Sequence, residues 1–409
     1  MNDGPPQQPV AERRWRGPRD DPEDAAVEAT EAEAIERARE EAEDADEEMP
    51  KLALTGRRLL FFALFVASAI AFLYFVLPKL AGLQDTWNRA KTGAPGWLIV
   101  AGAFEIVSFG GYIVLFRTVF VRGYDRIDWK TSYQITMASL AATRLFAAAG
   151  AGGVVLTAWA LRRSGMGRRL VACRMIAFIV LLYAVFMGSL VIFGLGLRTG
   201  IFPGEAPFGV TVIPAIFGAA VIVIALSLAF IPQDFERRLE RWAGGSSERL
   251  AKWARRFASV PASVSSGVRT AIKLVRERHW GVLGAVVWWG CDMATLWASL
   301  HAFGSTGVPP FPVIVVAYFI GQLGNLLPLP GGIGGVDGGM IGAFIAFGVP
   351  GGLAVVSVLV YRGFSFWLPT IPGVIAYLQL RRTVAKWKVE AKARGPAAIG
   401  PARRPTPNA

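Results

Sequence analysis

The sequence predicts an all-α polytopic membrane protein of about six full spans plus two re-entrant helical hairpins, arranged as an inverted repeat. Three observations carry that expectation. The 409 residues are 53% hydrophobic and only 18% charged, with a mean hydropathy of +0.43. Several windows exceed the roughly 18 apolar residues that mark a spanning helix. The charge is sorted as well: residues 1–58 hold 17 acids against 9 bases, a net of −8, which leaves +21 on the remainder. Finally, two apolar stretches are interrupted by clusters of glycine, which a single spanning helix would not favour.

Residues 1–50 form an acidic region (EATEAEAIERAREEAEDADEE) with helix-forming residues but no apolar stripe. Such a segment cannot bury enough surface to fold alone and is expected to be disordered and cytoplasmic. No signal peptide is expected, because the first 58 residues are polar and contain no apolar core. The membrane domain is expected over 51–380, followed by a basic cytoplasmic tail over 381–409. Spans are predicted at about 59–78, 97–116, 170–197, 210–231, 281–303 and 353–379.

The loops orient these spans through the positive-inside rule. Arg57 and Arg58 place the N-terminus in the cytoplasm, and Arg117, Arg122, Arg126 and Lys130 mark the next cytoplasmic loop. Stretch 132–161 begins beside that loop and ends at RRSGMGRR, so both ends are cytoplasmic. Two full crossings need about 40 residues, so a hairpin of two half-helices fits better. Stretch 312–349 is flanked by uncharged GSTGVPPF and VPGG and is expected to enter from outside. Its greater length leaves two short full spans open as an alternative. The basic residues after Arg381 return the C-terminus to the cytoplasm.

The two hairpins resemble each other. RLFAAAGAGG (144–153) aligned on NLLPLPGGIG (325–334) pairs Gly150 with Gly331 and Gly153 with Gly334. The helix before each hairpin carries one central acid, Glu105 or Asp292, and the helix after each carries an arginine, Arg174 or Arg362. Opposed repeats with broken helices at their interface are a recurring plan in transporters.

Ionisable groups at membrane depth are expensive and read first as functional. Glu105, Asp292 and Asp337 face Arg144, Arg174 and Arg362, three of each sign. One reading has every arginine holding a carboxylate and bracing the bundle. The other has some arginines meeting an anion, for which guanidinium is suited because it stays charged and grips phosphate oxygens in pairs. The glycines also allow two readings, close helix packing or broken helices that free backbone N–H groups. Pro328 and Pro330 favour the second, with a half-helix starting near Gly334 and Asp337 in its first turn. His279 and His301 are expected at the interfaces, Trp97, Trp280, Trp288, Trp289, Trp297 and Trp367 in the aromatic belts or the core, and Cys173 and Cys291 as free thiols.

Loop 232–280 carries 11 bases and 5 acids. Phe235, Leu239 and Trp242, then Leu250, Trp253 and Phe257, recur at helical spacing. Amphipathic helices on the anionic inner leaflet are expected there, which leaves no role in binding nucleic acid.

PLPGGIGGVDGG followed by VLVYRGFSFWLPTIPG resembles the membrane domain of the lysylphosphatidylglycerol synthase/flippase family, as does AATRLFAAAGAGG…LRRSGMG in the first half. The likeness covers about 55–380, and this chain carries Asp337 where the family pattern usually has glutamate. The resemblance implies the lipid-translocating half of such proteins, since the 409 residues leave no room for the cytoplasmic aminoacyl-transferase domain. It implies a non-enzymatic lipid flippase of the cell membrane, moving an anionic phospholipid or a polyprenyl-phosphate-linked lipid. On that reading Arg144, Arg174 and Arg362 bind the headgroup phosphate, assisted by Asn325 and backbone N–H groups around Gly150, Gly153, Gly331 and Gly334. Glu105, Asp292 and Asp337 hold the arginines or exchange protons. No ATP-binding loop, HExxH, GxSxG or paired-cysteine pattern occurs, so neither cofactor nor metal is expected. The alternative is a non-transporting scaffold that presents lipid to a separate lipid-modifying enzyme. A second copy of the chain is the other protein partner considered.

Overall fold

A computed structural model describes residues 93–121, 126–145, 151–230, 264–304, 307–326, 332 and 334–394. The acidic region 1–50, the span at 59–78 and the aromatic stripe between 235 and 257 lie outside the described residues. Regular structure is helical among the described residues, with no strand.

Helix α1 (Pro95–Phe120) opens with proline in its first turn, where the missing N–H needs no partner. Helices α2 (Trp129–Leu145) and α3 (Ala151–Arg163) pack together as the first hairpin. At 17 and 13 residues they measure about 26 and 20 Å. Asp128 caps α2, its Oδ1 accepting the Thr131 N–H at 2.7 Å. Those two bonds from Thr131, side chain and backbone, hold the Asp128 carboxyl below its ordinary pKa.

Helices α4 (Arg168–Arg198) and α5 (Phe208–Ala229) follow and pack on each other. Much of α5 exposes isoleucine, valine and phenylalanine, as a lipid-facing surface does. Helix α6 (264–276) buries Val268, Ala271 and Leu274. Cys173 of α4 meets its Ser266 and Thr270 hydroxyls at 3.4 Å each, and Gly267 lies against Ile176 and the Cys173 carbonyl. Both cysteines are free.

A 3-10 turn (Trp280–Leu283) leads into α7 (Gly284–Phe303). Helix α8 (Phe311–Leu323) and helix α9 (Gly335–Ala346) pack as the second hairpin. Their 13 and 12 residues give about 20 and 18 Å. Each is shorter than the roughly 30 Å of a hydrocarbon core. Helix α10 (Gly351–Arg362) passes through a π-helical turn (Gly363–Trp367) into α11 (Leu368–Arg394). Pro369 and Pro372 explain the turn, because each removes a donor to a carbonyl four residues earlier and loosens the helix at that level.

Among the described residues, five helices are long and apolar enough to cross a membrane: Pro95–Phe120, Arg168–Arg198, Phe208–Ala229, Trp280–Phe303 and the continuous Gly351–Glu390. They coincide with the last five predicted spans.

Helices α1 and α7, the two that carry a central acid, pack along each other. Their buried positions recur every three or four residues, Ala101, Glu105, Ser108 and Leu115 against Ala285, Trp289, Asp292 and Leu296. Gly111 and Gly284 meet where the helices cross, and a methyl group on Gly111 would stand 2.9 Å from the Gly284 carbonyl. Helix α2 packs on α11, and α8 packs on α4, so each hairpin leans on the arginine-bearing helix of the other half. One apolar core gathers α1, α2, α3, α6, α11 and the first part of α4, while a second gathers α7 to α10 and the rest of α4.

Candidate functional site

Buried polar groups converge where α1, α2, α7, α8 and α10 meet. Glu105 and Asp292 sit on the facing stripes of α1 and α7, at 1% and 6% exposure. Their carboxyls stand within hydrogen-bonding range of each other. Tyr318 of α8 and Tyr361 of α10 both donate their hydroxyls to Asp292 Oδ2, the latter at 3.1 Å. Asp292 therefore ties three helices of the second half to one carboxylate oxygen. Thr295 on α7 donates to the Ala101 carbonyl of α1 at 3.2 Å, and Ser108 of α1 donates back to Trp288 at 2.9 Å. These bonds hold the two acid helices in one register at the level of the carboxyls.

Arg144 ends α2 and turns its guanidinium toward this cluster. Glu105 and Asp292 are near enough to interact with it electrostatically, as is Arg362. The guanidinium lies 5.8 Å from the Phe109 ring and 6.0 Å from the Phe366 ring. Arg362 approaches the same Phe366 ring at 5.0 Å. Two arginines, one from each half of the chain, thus converge on one aromatic side chain, which the π turn positions four residues past Arg362.

The two arginines differ in what they hold. Arg362 Nε forms an ion pair with Asp337 Oδ1 at 2.7 Å, with both side chains largely buried. Asp337 stands in the first turn of α9, and its Oδ2 accepts the Gly334 N–H at 2.9 Å. Asp337 therefore pairs with the arginine of its own half. Arg144 Nη1, by contrast, is buried with no hydrogen-bond partner among the described residues. Glu105 Oε2 and Asp292 Oδ1 are in the same state.

Other predicted residues fall elsewhere. Arg174 is not brought into the cluster: its Nη1 donates to the carbonyl of Phe120, the last residue of α1, at 2.6 Å. It stands in the second turn of a helix that begins at Arg168, close to the helix end. Asn325 is exposed and donates to Gln322 Oε1 at 2.8 Å. Gly153 serves packing, since a methyl group there would meet Thr143 and lie 2.5 Å from the Ser139 carbonyl of α2. Gly332 and Gly334 instead adopt φ of +68° and +84°, which glycine alone takes readily. Gly153 thus fits the packing reading, while Gly332 and Gly334 mark a break in the helix whose Gly334 N–H is taken by Asp337. Gly150 and Gly331 lie outside the described residues.

Tyr318 and Tyr361 were not singled out by sequence. A tyrosine in an apolar run is ordinary, and only the adjacency of Tyr361 to Arg362 gave a hint. His301 donates from Nδ1 to the Trp297 carbonyl at 3.0 Å and lies tilted against the Trp97 and Trp297 rings, while His279 pairs with Glu277. Among the described residues no group of three His, Cys, Asp or Glu side chains is placed to hold a metal.

A separate apolar groove of about 510 Å³ runs along α1 and α7 on their other face, between Val107, Gly110, Val287, Trp129 and Trp280. It does not contain the charged cluster.

Comparison with known proteins bears on this arrangement. The family model described as "Lysylphosphatidylglycerol synthase TM region" matches residues 60–373. The chain belongs to this family. Three proteins of Methanothermobacter thermautotrophicus, each named "UPF0104 membrane protein", are similar to it. They are 29%, 27% and 28% identical over 171, 170 and 171 residues, covering 39%, 39% and 38% of this chain. The matched region spans about half the length of those relatives, 51%, 50% and 48%. All members of the cluster just described, from Glu105 to Phe366, fall inside the matched range of the family.

Proposed function

We propose that this member of the lysylphosphatidylglycerol synthase TM region family is a lipid translocator. It moves a lipid with an anionic phosphate headgroup, a phospholipid or a polyprenyl-phosphate-linked lipid, between leaflets of the cell membrane. The observation that carries the reading is the unpaired, buried Arg144 Nη1 beside Arg362 at the Phe366 ring. A guanidinium desolvated without a full set of acceptors favours an anion that supplies them. Arg144 is the primary headgroup contact and Arg362 the second, released from Asp337 as the lipid enters. Arg174 anchors α4 to the end of α1 and takes no part.

The cross-packing of each hairpin on the other half supports an inverted repeat, and the short hairpin helices support entry from opposite faces. In that arrangement both termini are cytoplasmic, and the two halves expose the arginines to each leaflet in turn. The chain performs no covalent chemistry in this reading. The Arg362–Asp337 pair favours a second reading, a braced scaffold that does not move lipid.

Reconstitution separates the two. The purified protein is placed in vesicles with a fluorescent lipid, and loss of inner-leaflet protection from a membrane-impermeant quencher is followed. Faster loss for anionic than for zwitterionic headgroups is expected. A rate equal to protein-free vesicles for every lipid class contradicts transport and leaves the scaffold.

A further inference from the structure

Among the described residues, the cluster contains one more negative group than its cations match. Arg362 is taken by Asp337, which leaves Arg144 facing both Glu105 and Asp292. Two carboxylates at hydrogen-bonding range in a membrane interior repel, and each would expose an acceptor to another acceptor. Among the described residues, Glu105 Oε2 and Asp292 Oδ1 are the oxygens of this pair left without a donor. A single proton removes both difficulties: it supplies the missing donor and brings the group of Glu105, Asp292 and Arg144 to neutrality.

From this geometry we infer that Glu105 and Asp292 form a proton-holding carboxyl pair, and that binding an anionic headgroup at Arg144 draws in a second proton. The inference rests on the transport reading for its second half only. The sequence of events balances in charge. At rest one O–H bond joins a proton to the pair, and Arg144 offsets the remaining carboxylate. When a phosphate engages Arg144, that carboxylate loses its counter-charge and takes a proton from water, forming a second O–H bond. Release of the headgroup returns Arg144 to the pair and one proton to the aqueous side. One proton therefore accompanies each single negative charge.

The surroundings are suited to this role. Around the pair, α2 presents Arg144, α8 Tyr318 and α10 Tyr361, while α7 adds the Cys291 thiol and the Thr295 hydroxyl. Arg362 of α10 acts on the pair through Arg144. The two tyrosine hydroxyls commit Asp292 Oδ2 as an acceptor, which leaves Oδ1 as the Asp292 oxygen able to carry the proton. The assignment differs from a purely structural role for the acids, in which Arg144 would neutralise one of them and the other would be paired elsewhere.

Infrared difference spectroscopy of the full-length protein in vesicles reads the pair directly through the C=O stretch of protonated carboxyl groups. Wild type minus Asp292→Asn, and wild type minus Glu105→Gln, are each expected to show one buried protonated carboxyl at neutral pH. In phosphatidylglycerol vesicles the band is expected to double relative to phosphatidylcholine vesicles. Absence of the band at neutral pH overturns the proton-holding pair, whatever the transport result. A band that is present but insensitive to lipid overturns the coupling. In the flux assay, an acid-inside or acid-outside gradient should change wild-type anionic lipid movement by severalfold, whereas whatever movement remains in the double variant Glu105→Gln/Asp292→Asn should not respond to the gradient. Lipid movement that ignores the gradient in wild type sinks the coupling while leaving transport standing. No lipid movement at all removes transport and the coupling together, and leaves only the infrared band to support the pair.

Discussion

The two hairpins are built to one plan and end in opposite electrostatic states. In the second, Asp337 caps the start of α9 through Oδ2 and forms an ion pair with Arg362 through Oδ1. In the first, the position aligned with Asp337 is Leu156, a buried apolar residue, and the half's own helix arginine is bound to the end of α1. Arg144 is left facing the carboxyls of the acid helices with an unsatisfied nitrogen. The contrast teaches that two hairpins of similar build need not carry similar charges. One hairpin is locked by an internal ion pair, and the other keeps a cation available.

The largest effect expected from disturbing this contrast is on the locked side. Replacing Asp337 by Ala leaves Arg362 buried without its partner, a change that destabilises a folded protein by about 3–5 kcal/mol. Thermal unfolding of Asp337→Ala in detergent should fall well below wild type, and Asp337→Ala combined with Arg362→Met should recover most of the loss. If the single variant unfolds like wild type, the second hairpin is not locked by this pair.

Next in size are the glycines, which separate backbone strain from packing. At Gly334 a side chain has open space but an unfavourable φ. Gly334→Ala should destabilise by about 1–2 kcal/mol, and Gly334→Asn by as much, since a ψ of −44° lies outside the left-handed helical well that asparagine tolerates. At Gly153 the obstacle is the Ser139 carbonyl rather than φ, so the larger Asn should be worse than Ala. Equal ranking of the two residues at both positions would remove the distinction.

The smallest effect concerns the exposed cap of the first hairpin. Asp128→Ala should cost about 0.5–2 kcal/mol. Because the Thr131 bonds lower the Asp128 pKa, the stabilisation is fully present above the ordinary carboxylate pKa and is lost as pH falls through the lowered value. The difference between Asp128→Ala and wild type should therefore shrink in acid. A difference that grows in acid contradicts the assigned cap.

Much of this architecture was legible in the sequence because the bilayer imposes strong rules. Hydropathy located α1, α4, α5, α7 and α10–α11, and loop charge with segment length identified both hairpins. The proline and glycine run placed Asp337 in a helix first turn, which is where it stands. What escaped was the pairing of charges, which depends on tertiary geometry. Arg174 and Arg362 occupy matching places in the sequence, yet the first lies near a helix end and the second beyond a full α10. The two tyrosines that donate to Asp292 were hidden because their spacing is that of ordinary core residues. The π turn that brings Phe366 between the arginines follows from two prolines whose combined effect on the helix sequence reasoning did not draw.

The central claim is that Arg144 is the available cation of the pair, and its most direct test is headgroup selectivity of transport. Movement of fluorescent phosphatidylglycerol and phosphatidylcholine is measured in vesicles containing wild type, Arg144→Ala, Arg144→Lys or Arg174→Ala at equal protein. Wild type and Arg174→Ala are expected to prefer the anionic lipid. Arg144→Ala should lose at least about tenfold in anionic lipid rate, corresponding to about 1.4 kcal/mol, with Arg144→Lys between them. An Arg144→Ala protein that is folded and moves phosphatidylglycerol as fast as wild type contradicts the account.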